Sequence, residues 1–211
     1  METNEKPIIF STEMVKAILD GRKTQTRRVA KFDFYAGHED KFYYKPVYYT
    51  NICSYVLSDI DRNAIVTFEL KPRYKPGDII WVRETWGYAK NNLHPEKSIS
   101  GGMILYKETD DSDDVEKWRP SIHMPKTAAR IFLRVTDVRV ERLKDISEAD
   151  AIAEGCEKIL RKTDLTVAAF ARNSFAILWD SINAKRDGGA YKWDMNPWVW
   201  VISFERIADY V

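Results

Sequence analysis

Short apolar runs on either side of a Pro-Gly-Asp turn constrain the fold of this chain more than any other feature. Residues 64–70 form the first run, residues 75–78 the turn, and Ile79–Arg83 the second run. β-Branched and aromatic residues favour strands, and a Pro-Gly pair favours a tight turn between them. Residues 130–142 alternate apolar and polar side chains, which predicts a longer strand with a bend near Thr136. This pattern is typical of a small β-barrel.

A short helix is predicted ahead of these strands. Ser11 or Thr12 is a suitable N-cap, and residues 13–19 carry an apolar stripe on one helical face. Gly21 is a natural C-terminal stop, because glycine adopts the left-handed conformation that ends many helices.

Two further helices and a last strand are predicted towards the end of the sequence. Ser147 and Asp150 match a capping box, and the helix that they begin is expected to end at Gly155. Another helix is expected over residues 166–183, followed by an apolar strand over residues 198–204 that is central to the sheet. The predicted buried side of the 166–183 helix comprises Phe170, Phe175, Ile177, Leu178 and Ile182.

The 211 residues, 45% of them hydrophobic, are sufficient to bury the core of one domain. Because no linker rich in proline, glycine or serine divides the chain, we expect a single domain over residues 1–211 with insertions near 32–63 and 87–118. The first insertion is rich in tyrosine and phenylalanine, and its residues 47–57 fit an aromatic hairpin. Residues 108–116 are acidic at six of nine positions, which is typical of a solvated or mobile loop.

The supply of metal ligands is small. Cys53 and Cys156 lie in unrelated contexts, and His38, His94 and His123 are far apart in sequence. Zinc sites use closely spaced cysteine and histidine ligands, so neither a metal site nor a disulfide framework is predicted. We expect no metal, no cofactor and two free thiols.

Membrane and secretion signals are not found in the sequence. No run approaches the roughly 18 apolar residues of a membrane-spanning helix. Residues 1–7 are polar, whereas a secretion signal is basic and then apolar. We therefore expect a cytoplasmic protein without a membrane partner, and the sequence indicates no particular oligomeric state.

The first candidate for a functional site is the basic segment, defined as residues 21–28, which directly follows the first predicted helix. Arginine and lysine side chains neutralise phosphates and hydroxyl groups donate hydrogen bonds to them, so this segment is a candidate contact for RNA or a nucleotide. The alternative is a solvated basic turn without a ligand. The segment reads Gly21-Arg22-Lys23-Thr24-Gln25-Thr26-Arg27-Arg28.

The basic segment resembles the Gly-x-Lys-Thr-x-Thr-x-Arg signature of the ASCH domain, a family of the PUA-like superfamily. The turn at residues 75–78 and the helix that follows Ser147 are similar to that family as well. The resemblance implies an α+β fold, namely a PUA-like small mixed β-barrel of about five to seven strands flanked by helices. It also implies a cleft beside the basic segment that holds RNA or a nucleotide.

Within the ASCH family, the small amidohydrolases that deacylate N4-acetylcytidine use a Lys-Thr-Glu set, and the resemblance assigns this set to Lys23, Thr26 and Glu154. In that chemistry a deprotonated Lys23 activates the Thr26 hydroxyl for attack on an amide carbonyl. Glu154 orients the substrate or moves a proton to the leaving amine. Burial or neighbouring cations must lower the pKa of Lys23 for this role. The neighbouring arginines also suit a phosphate, which would leave Lys23 charged.

Further segments resemble a larger ASCH subgroup found in phages and prophages. These segments are residues 81–86, 118–125, 179–186 and 196–200. The amidohydrolases are much shorter than this chain and lack them, so the pocket and substrate can differ even where the three residues coincide.

Additional candidate contacts lie at strand ends and in loops, where binding residues concentrate. His123 can line a pocket or instead pack the rim of the barrel. Trp193 is the tryptophan best suited to stack on an unpaired base, whereas Trp198 and Trp200 are expected in the core. The predicted RNA- or nucleotide-binding residues are Gly21, Arg22, Thr24, Arg27, Arg28, Arg83, Glu84, Trp86, Arg119, Ser121, His123 and Trp193.

Three functions are compatible with these features. The first is a module that binds RNA or a modified nucleotide. The second is an enzyme on the same cleft, either an amidohydrolase that acts on an N-acylated nucleobase or a metal-independent ribonuclease. The third is a phage accessory or assembly protein without catalysis. Because all three use one fold, turnover of an acylated nucleoside or of RNA is what separates them.

Overall fold

A computed structural model describes residues 5–30, 42–49, 52–59, 65–68, 72–90, 103–110, 112–156, 171–208 and 210. The strands in these ranges are β1 (Glu5–Ile9), β2 (Gln25–Val29), β3 (Phe42–Tyr49), β4 (Ile52–Asp59), β5 (Ile65–Phe68), β6 (Ile79–Arg83), β7 (Trp86–Tyr88), β8 (Ile104–Tyr106), β9 (Phe132–Arg142) and β10 (Trp198–Ile207). The α-helices are α1 (Thr12–Leu19), α2 (Glu148–Ala153) and α3 (Ala171–Asn183). None of these helices is long and apolar enough to cross a membrane.

Five strands form the main sheet, in the order β1-β6-β9-β10-β2. β1 runs parallel to β6, and the other neighbouring strands are antiparallel. The two edge strands, β1 and β2, approach each other where the Arg28 guanidinium donates a hydrogen bond to the Ile9 carbonyl over 2.7 Å. The predicted α+β class with a small, mixed, barrel-like sheet is confirmed.

The long strands β9 and β10 are the centre of this sheet. β10 pairs with β9 on one side and with β2 on the other, which confirms its predicted central position. Ser203 pairs with Asp137 and Phe204 with Val135, so the register shifts at Thr136, where the bend was predicted. The buried apolar side chains of β6, β9 and β10 form the main core, with Ile80, Val82, Leu133, Val135, Val138, Ile202 and Phe204.

Local capping signals position α1 and α2 as predicted. The Ser11 hydroxyl caps the first turn of α1, and Gly21 follows the helix with φ of 73°. Ser147 and Asp150 form the expected capping box of α2, and Gly155 follows it with φ of 88°. Both glycines adopt the left-handed conformation that a side chain disfavours, so each helix ends where the sequence indicated.

The predicted buried face of the third helix is partly wrong. Phe175 is buried, but Ile177 and Ile182 are 63% and 46% exposed. Residues spaced by four lie on one helical face, and in α3 the face that carries Phe175 and Trp179 packs against β10. Ile177 lies halfway between these two residues in sequence and therefore points away from that face. Residues 166–170 lie outside the described residues. The buried residues of α3 are Ala171, Phe175, Trp179 and Asn183.

Two smaller sheets accompany the main sheet. β3, β4 and β5 form an antiparallel three-stranded sheet, in which β3 and β4 are the hairpin predicted from residues 47–57. β7 and β8 form a two-stranded sheet. The acidic stretch over residues 108–116 is not wholly solvated, because Val115 is 5% exposed and forms an isolated bridge with Ala89. Residues 91–102, within the insertion predicted near 87–118, lie outside the described residues.

Candidate functional site

The basic segment is held in place by residues that are distant in sequence. Lys23 forms an isolated antiparallel bridge with Glu154, the residue that ends α2. The Thr24 amide donates to the Ala153 carbonyl at 2.8 Å, and the Phe204 amide donates to the Thr24 carbonyl at 2.9 Å. From Gln25 onward the segment is strand β2 and not a turn, because β10 supplies a complete antiparallel partner.

The Lys23 side chain is buried against Glu154, and the two residues are 2% and 4% exposed. Lys23 Nζ donates to Glu154 Oε2 at 2.8 Å, to the Glu154 carbonyl at 2.9 Å and to the Gln25 carbonyl at 2.8 Å. Three acceptors match the three N–H bonds of an ammonium group. Burial lowers the pKa of Lys23, and the Glu154 carboxylate opposes that shift. A buried amine hydrogen-bonded directly to a carboxylate can exchange a proton with it, as acid–base chemistry requires.

Arg27 supports Glu154 from a second direction. Its guanidinium donates to Glu154 Oε1 at 3.2 Å, to Gln25 Oε1 at 2.7 Å and to Glu141 Oε1 at 2.5 Å. Asp150 of α2 lies 3.5 Å from the same guanidinium. The Arg27 residue is only 3% exposed, so its charge is used within the protein and not on the surface. The solvated-turn alternative therefore does not describe this part of the basic segment.

Thr26 and Glu154 both line a small cavity of about 50 Å³, called here the inner cavity. Thr26 is 2% exposed, and its hydroxyl makes no hydrogen bond with any other described residue. The apolar side of the cavity comes from α3, through Phe175, Leu178 and Trp179. Lys23 is not among the lining residues, so it contacts the inner cavity only through Glu154.

A larger cavity of about 900 Å³, called here the outer cleft, adjoins the inner cavity. It lies where β1 and β2 approach each other, and its apolar floor includes Phe10, Tyr74 and Trp200. Four arginines also line it, namely Arg28, Arg73, Arg83 and Arg186. The two cavities share the lining residues Met14, Arg28, Val29, Ile182 and Arg186.

Three predicted contacts at the start of the basic segment line neither cavity. Gly21 and Thr24 are exposed, and Arg22 donates to the Asp20 carboxylate and to the Gly155 carbonyl. The turn after α1 directs these residues away from the cleft, because the chain reaches β2 only at Gln25.

Of the predicted contacts outside the basic segment, two line the outer cleft, Arg83 and Ser121. Glu84 instead forms a bidentate ion pair with Arg130, with both N–O distances at 2.9 Å. Trp86 is 3% exposed and packs with Met124 in a separate apolar cluster.

The remaining three predicted contacts also lie outside both cavities. The Arg119 guanidinium lies over the rings of Trp86 and Tyr88, at 5.3 and 4.8 Å from their centroids. His123 is exposed in a short 3-10 helix. Trp193 packs edge-on against Phe175, at 6.2 Å between centroids, and so contributes to the core.

Several residues of the outer cleft were not predicted from the sequence. Arg73 and Tyr74 directly precede the 75–78 turn, and Arg186 ends the segment 179–186 that resembles the larger ASCH subgroup. A search for arginines beside turns and family segments would have found Arg73 and Arg186. Phe10 carries no comparable signal, because buried aromatic residues are common in any core. Trp200 ends the family-like segment 196–200 but was expected in the core.

Metal and thiol chemistry have little support among the described residues. No group of three or more histidine, cysteine, aspartate or glutamate side chains there is arranged to hold a metal ion. Cys156 is a free thiol, and burial followed by the Glu154 carboxylate raises its pKa to about 11. A thiol with so high a pKa is a poor nucleophile at neutral pH.

No protein-family model and no curated protein matches the sequence. Among solved structures, the crystal structure of protein EF3133 from Enterococcus faecalis V583, of family DUF984, is similar to this chain at 14% sequence identity. The similarity has a TM-score of 0.41 and covers 98% of this chain and 82% of that chain. At this level it assigns no function.

Proposed function

We propose that this chain is an ASCH-type protein that binds RNA or a modified nucleotide in the outer cleft and hydrolyses an N-acylated nucleobase amide at Thr26. One observation carries the proposal: Thr26 and Glu154 face a small cavity that opens beside a large cleft lined by arginines and aromatic rings. Aromatic rings stack on bases and arginines bind phosphates, while a hydroxyl that shares a cavity with a carboxylate suits acyl transfer.

The residues around Thr26 can take up and return each proton that the proposed reaction moves. The Glu154 carboxylate lines the inner cavity together with Thr26, so it takes the proton of the Thr26 hydroxyl as Oγ attacks the amide carbonyl. Lys23 holds Glu154 in place through their 2.8 Å hydrogen bond. The C–N bond then breaks, Glu154 protonates the leaving nucleobase amine, and water hydrolyses the threonine ester to release the carboxylic acid.

The test is turnover of N4-acetylcytidine by the wild-type protein and by Thr26→Val. This variant keeps the shape of a buried side chain and removes the hydroxyl, so we expect kcat/KM to fall by roughly 10³-fold or more. Thr127→Val is the matched control, because Thr127 is exposed on a 3-10 helix and lines neither cavity.

The competing functions give different results in the same assay. Cleavage of short single-stranded RNA by the wild-type protein, without release of acetate from N4-acetylcytidine, would replace the amidohydrolase with a ribonuclease. Binding of RNA without turnover of either substrate would leave a binding module, and neither binding nor turnover would leave a non-catalytic accessory protein.

A further inference from the structure

The arginines of the outer cleft form a concentrated positive charge. Arg73 and Arg186 are exposed at the cleft and Arg28 and Arg83 are half-buried. No aspartate or glutamate occurs among the described residues that line this cleft. None of the four arginines forms an ion pair with a carboxylate of the described residues, whereas Arg27, Arg130 and Arg139 elsewhere in the fold do.

Within the part of the chain that the structure describes, aromatic rings and neutral acceptors position the four guanidinium groups. The Arg28 group lies 5.3 Å from the centroid of Phe10, and the Arg83 group 5.0 Å from that of Trp81. The Arg73 group lies 5.5 Å from the centroid of Tyr74, which is next to it in sequence. Arg186 donates to Asn183 Oδ1 at 2.8 Å. Stacking and neutral hydrogen bonds orient an arginine but leave its charge available for an anion.

The like charges are close enough to affect one another. Burial lowers the pKa of the Arg28 guanidinium, Glu154 and Tyr74 oppose that shift, and the positive charges of Arg186 and Arg73 make smaller contributions that lower it. Repulsion of this kind is unfavourable in the free protein and is relieved when an anion binds among the cations.

Arg28 and Arg186 line both cavities, so the positive charge begins at the inner cavity and extends outward to Arg73 and Arg83. A ligand whose acylated base reaches Thr26 therefore carries its sugar and whatever is attached to it into the arginine-lined part. A phosphate on that sugar would meet several guanidinium groups, which bind phosphate oxygens in pairs.

We infer that the outer cleft contains a phosphate subsite formed by Arg28, Arg73, Arg83 and Arg186, so that the ligand is a phosphorylated nucleoside and not a free one. The amide part of this inference rests on the proposed function. The phosphate belongs either to a free nucleotide or to an RNA strand.

The experiment compares three substrates: N4-acetylcytidine, its 5′-monophosphate, and a short single-stranded RNA with one N4-acetylcytidine. Charge-assisted hydrogen bonds from guanidinium groups to a phosphate strengthen binding, so we expect the better phosphorylated substrate to exceed the nucleoside by at least about tenfold in kcat/KM. Arg73→Ala should reduce this ratio by at least about tenfold. Arg73 is exposed, so the variant should fold, and Arg134→Ala is the control because Arg134 is an exposed arginine of β9 remote from the cleft lining.

The possible outcomes test the phosphate subsite and the proposed reaction independently. Preference for the monophosphate over RNA would indicate a free nucleotide, and the reverse a strand; both support the subsite if Arg73→Ala removes the preference. Equal kcat/KM for all three substrates would overturn the subsite and keep the amidohydrolase.

If no substrate is turned over, the proposed reaction is wrong, and calorimetric binding of cytidine and cytidine 5′-monophosphate then decides. Tighter binding of the monophosphate that Arg73→Ala weakens would keep the subsite. Equal affinity for the two ligands would overturn it.

Discussion

Glu154 accepts a hydrogen bond from a buried cation on each carboxylate oxygen, from Arg27 on Oε1 and from Lys23 on Oε2. Removing one member of a buried ion pair leaves the charge of its partner without compensation in the interior. The two cations also fix the direction of the carboxylate, so the side of Glu154 that faces the inner cavity depends on both. This residue therefore links the stability of the fold to the proposed chemistry.

We expect Glu154→Gln to lower the free energy of unfolding by about 3 kcal/mol, because Lys23 and Arg27 would keep their charges in the core. Urea unfolding followed by circular dichroism measures the change. Glu205→Gln is the matched control, since Glu205 pairs with Arg134 at 3.0 Å and both side chains are more than half exposed. An exposed pair of this kind contributes less than about 1 kcal/mol. Equal losses in the two variants would contradict the role assigned to the buried pair.

At the scale of secondary-structure elements, the site is made where the ends of α1 and α2 and the start of β2 meet. Gly155, directly after α2, has φ of 88° and lies against α1 and the basic segment. A Cβ atom added there would lie 2.8 Å from the Ala17 Cβ and 3.2 Å from the Lys23 Cβ. The close approach of the two helix ends thus depends on a glycine, both for its conformation and for its lack of a side chain.

We expect Gly155→Ala to be more destabilising than Gly77→Ala. Gly77 has φ of 89° but nothing within 4 Å of the added atom, so its variant reports the conformational strain alone, about 1 kcal/mol. Gly155→Ala adds overpacking of about 1–3 kcal/mol. Urea unfolding of both variants gives the difference, and a smaller loss for Gly155→Ala would show that the helix ends can separate at no cost.

The sequence predicted these elements best where the signal was local. Ser11, Ser147 and Asp150 cap helices through residues three positions apart, and the 75–78 turn relies on adjacent residues. The strand β2 was not predicted, because a segment of four cationic residues and two threonines does not show the apolar alternation typical of a strand. Its partner strand, β10, is also far away in sequence.

The candidate site likewise was predicted only in part from the sequence. Resemblance to a family associated Lys23, Thr26 and Glu154, and the structure brings Lys23 and Glu154 into direct contact. The sequence did not show that Arg28, Arg73 and Arg186 share one cleft, because these arginines are far apart in sequence and come together only in the folded chain. Burial of Arg27 was likewise invisible, since a charged side chain next to others is usually exposed.

At the scale of the whole molecule, a network of charged groups joins the main sheet to α2. Arg27 of β2 contacts Glu141 of β9, and Arg139 of β9 contacts both Glu141 and Asp150 of α2. Burial acts to raise the pKa of Asp150, but hydrogen bonds from Ser147 and the charge of Arg27 hold it below its ordinary value of 3.8. The network therefore contributes to stability while Asp150 is ionised.

We expect the free energy of unfolding to fall as the pH falls below 3.8. In the unfolded chain Asp150 takes up its proton near that ordinary pKa, and in the folded protein only at lower pH, so the unfolded state binds more protons in this window. The contribution is complete above pH 3.8 and is lost as the pH falls through the folded-state pKa. Urea unfolding at a series of pH values measures the slope.

Asp150→Asn should reduce this acid-dependent slope, because an amide does not titrate. Asp194→Asn is the control, since the Asp194 side chain is 91% exposed. A slope that is unchanged in Asp150→Asn would assign the acid sensitivity to other carboxylates.

The pairing of β2 with β10, and of Lys23 with a carboxylate 131 positions later, also sets when the site can form during synthesis. A ribosome releases the chain in order, so β2 has no strand partner and Lys23 no counter-ion until α2 and β10 have emerged. Contacts of such long sequence separation slow folding, because a large loop must close before they form. A nascent chain that stops before β10 would therefore leave its basic segment without these partners, and the candidate site would be among the last parts of this molecule to form.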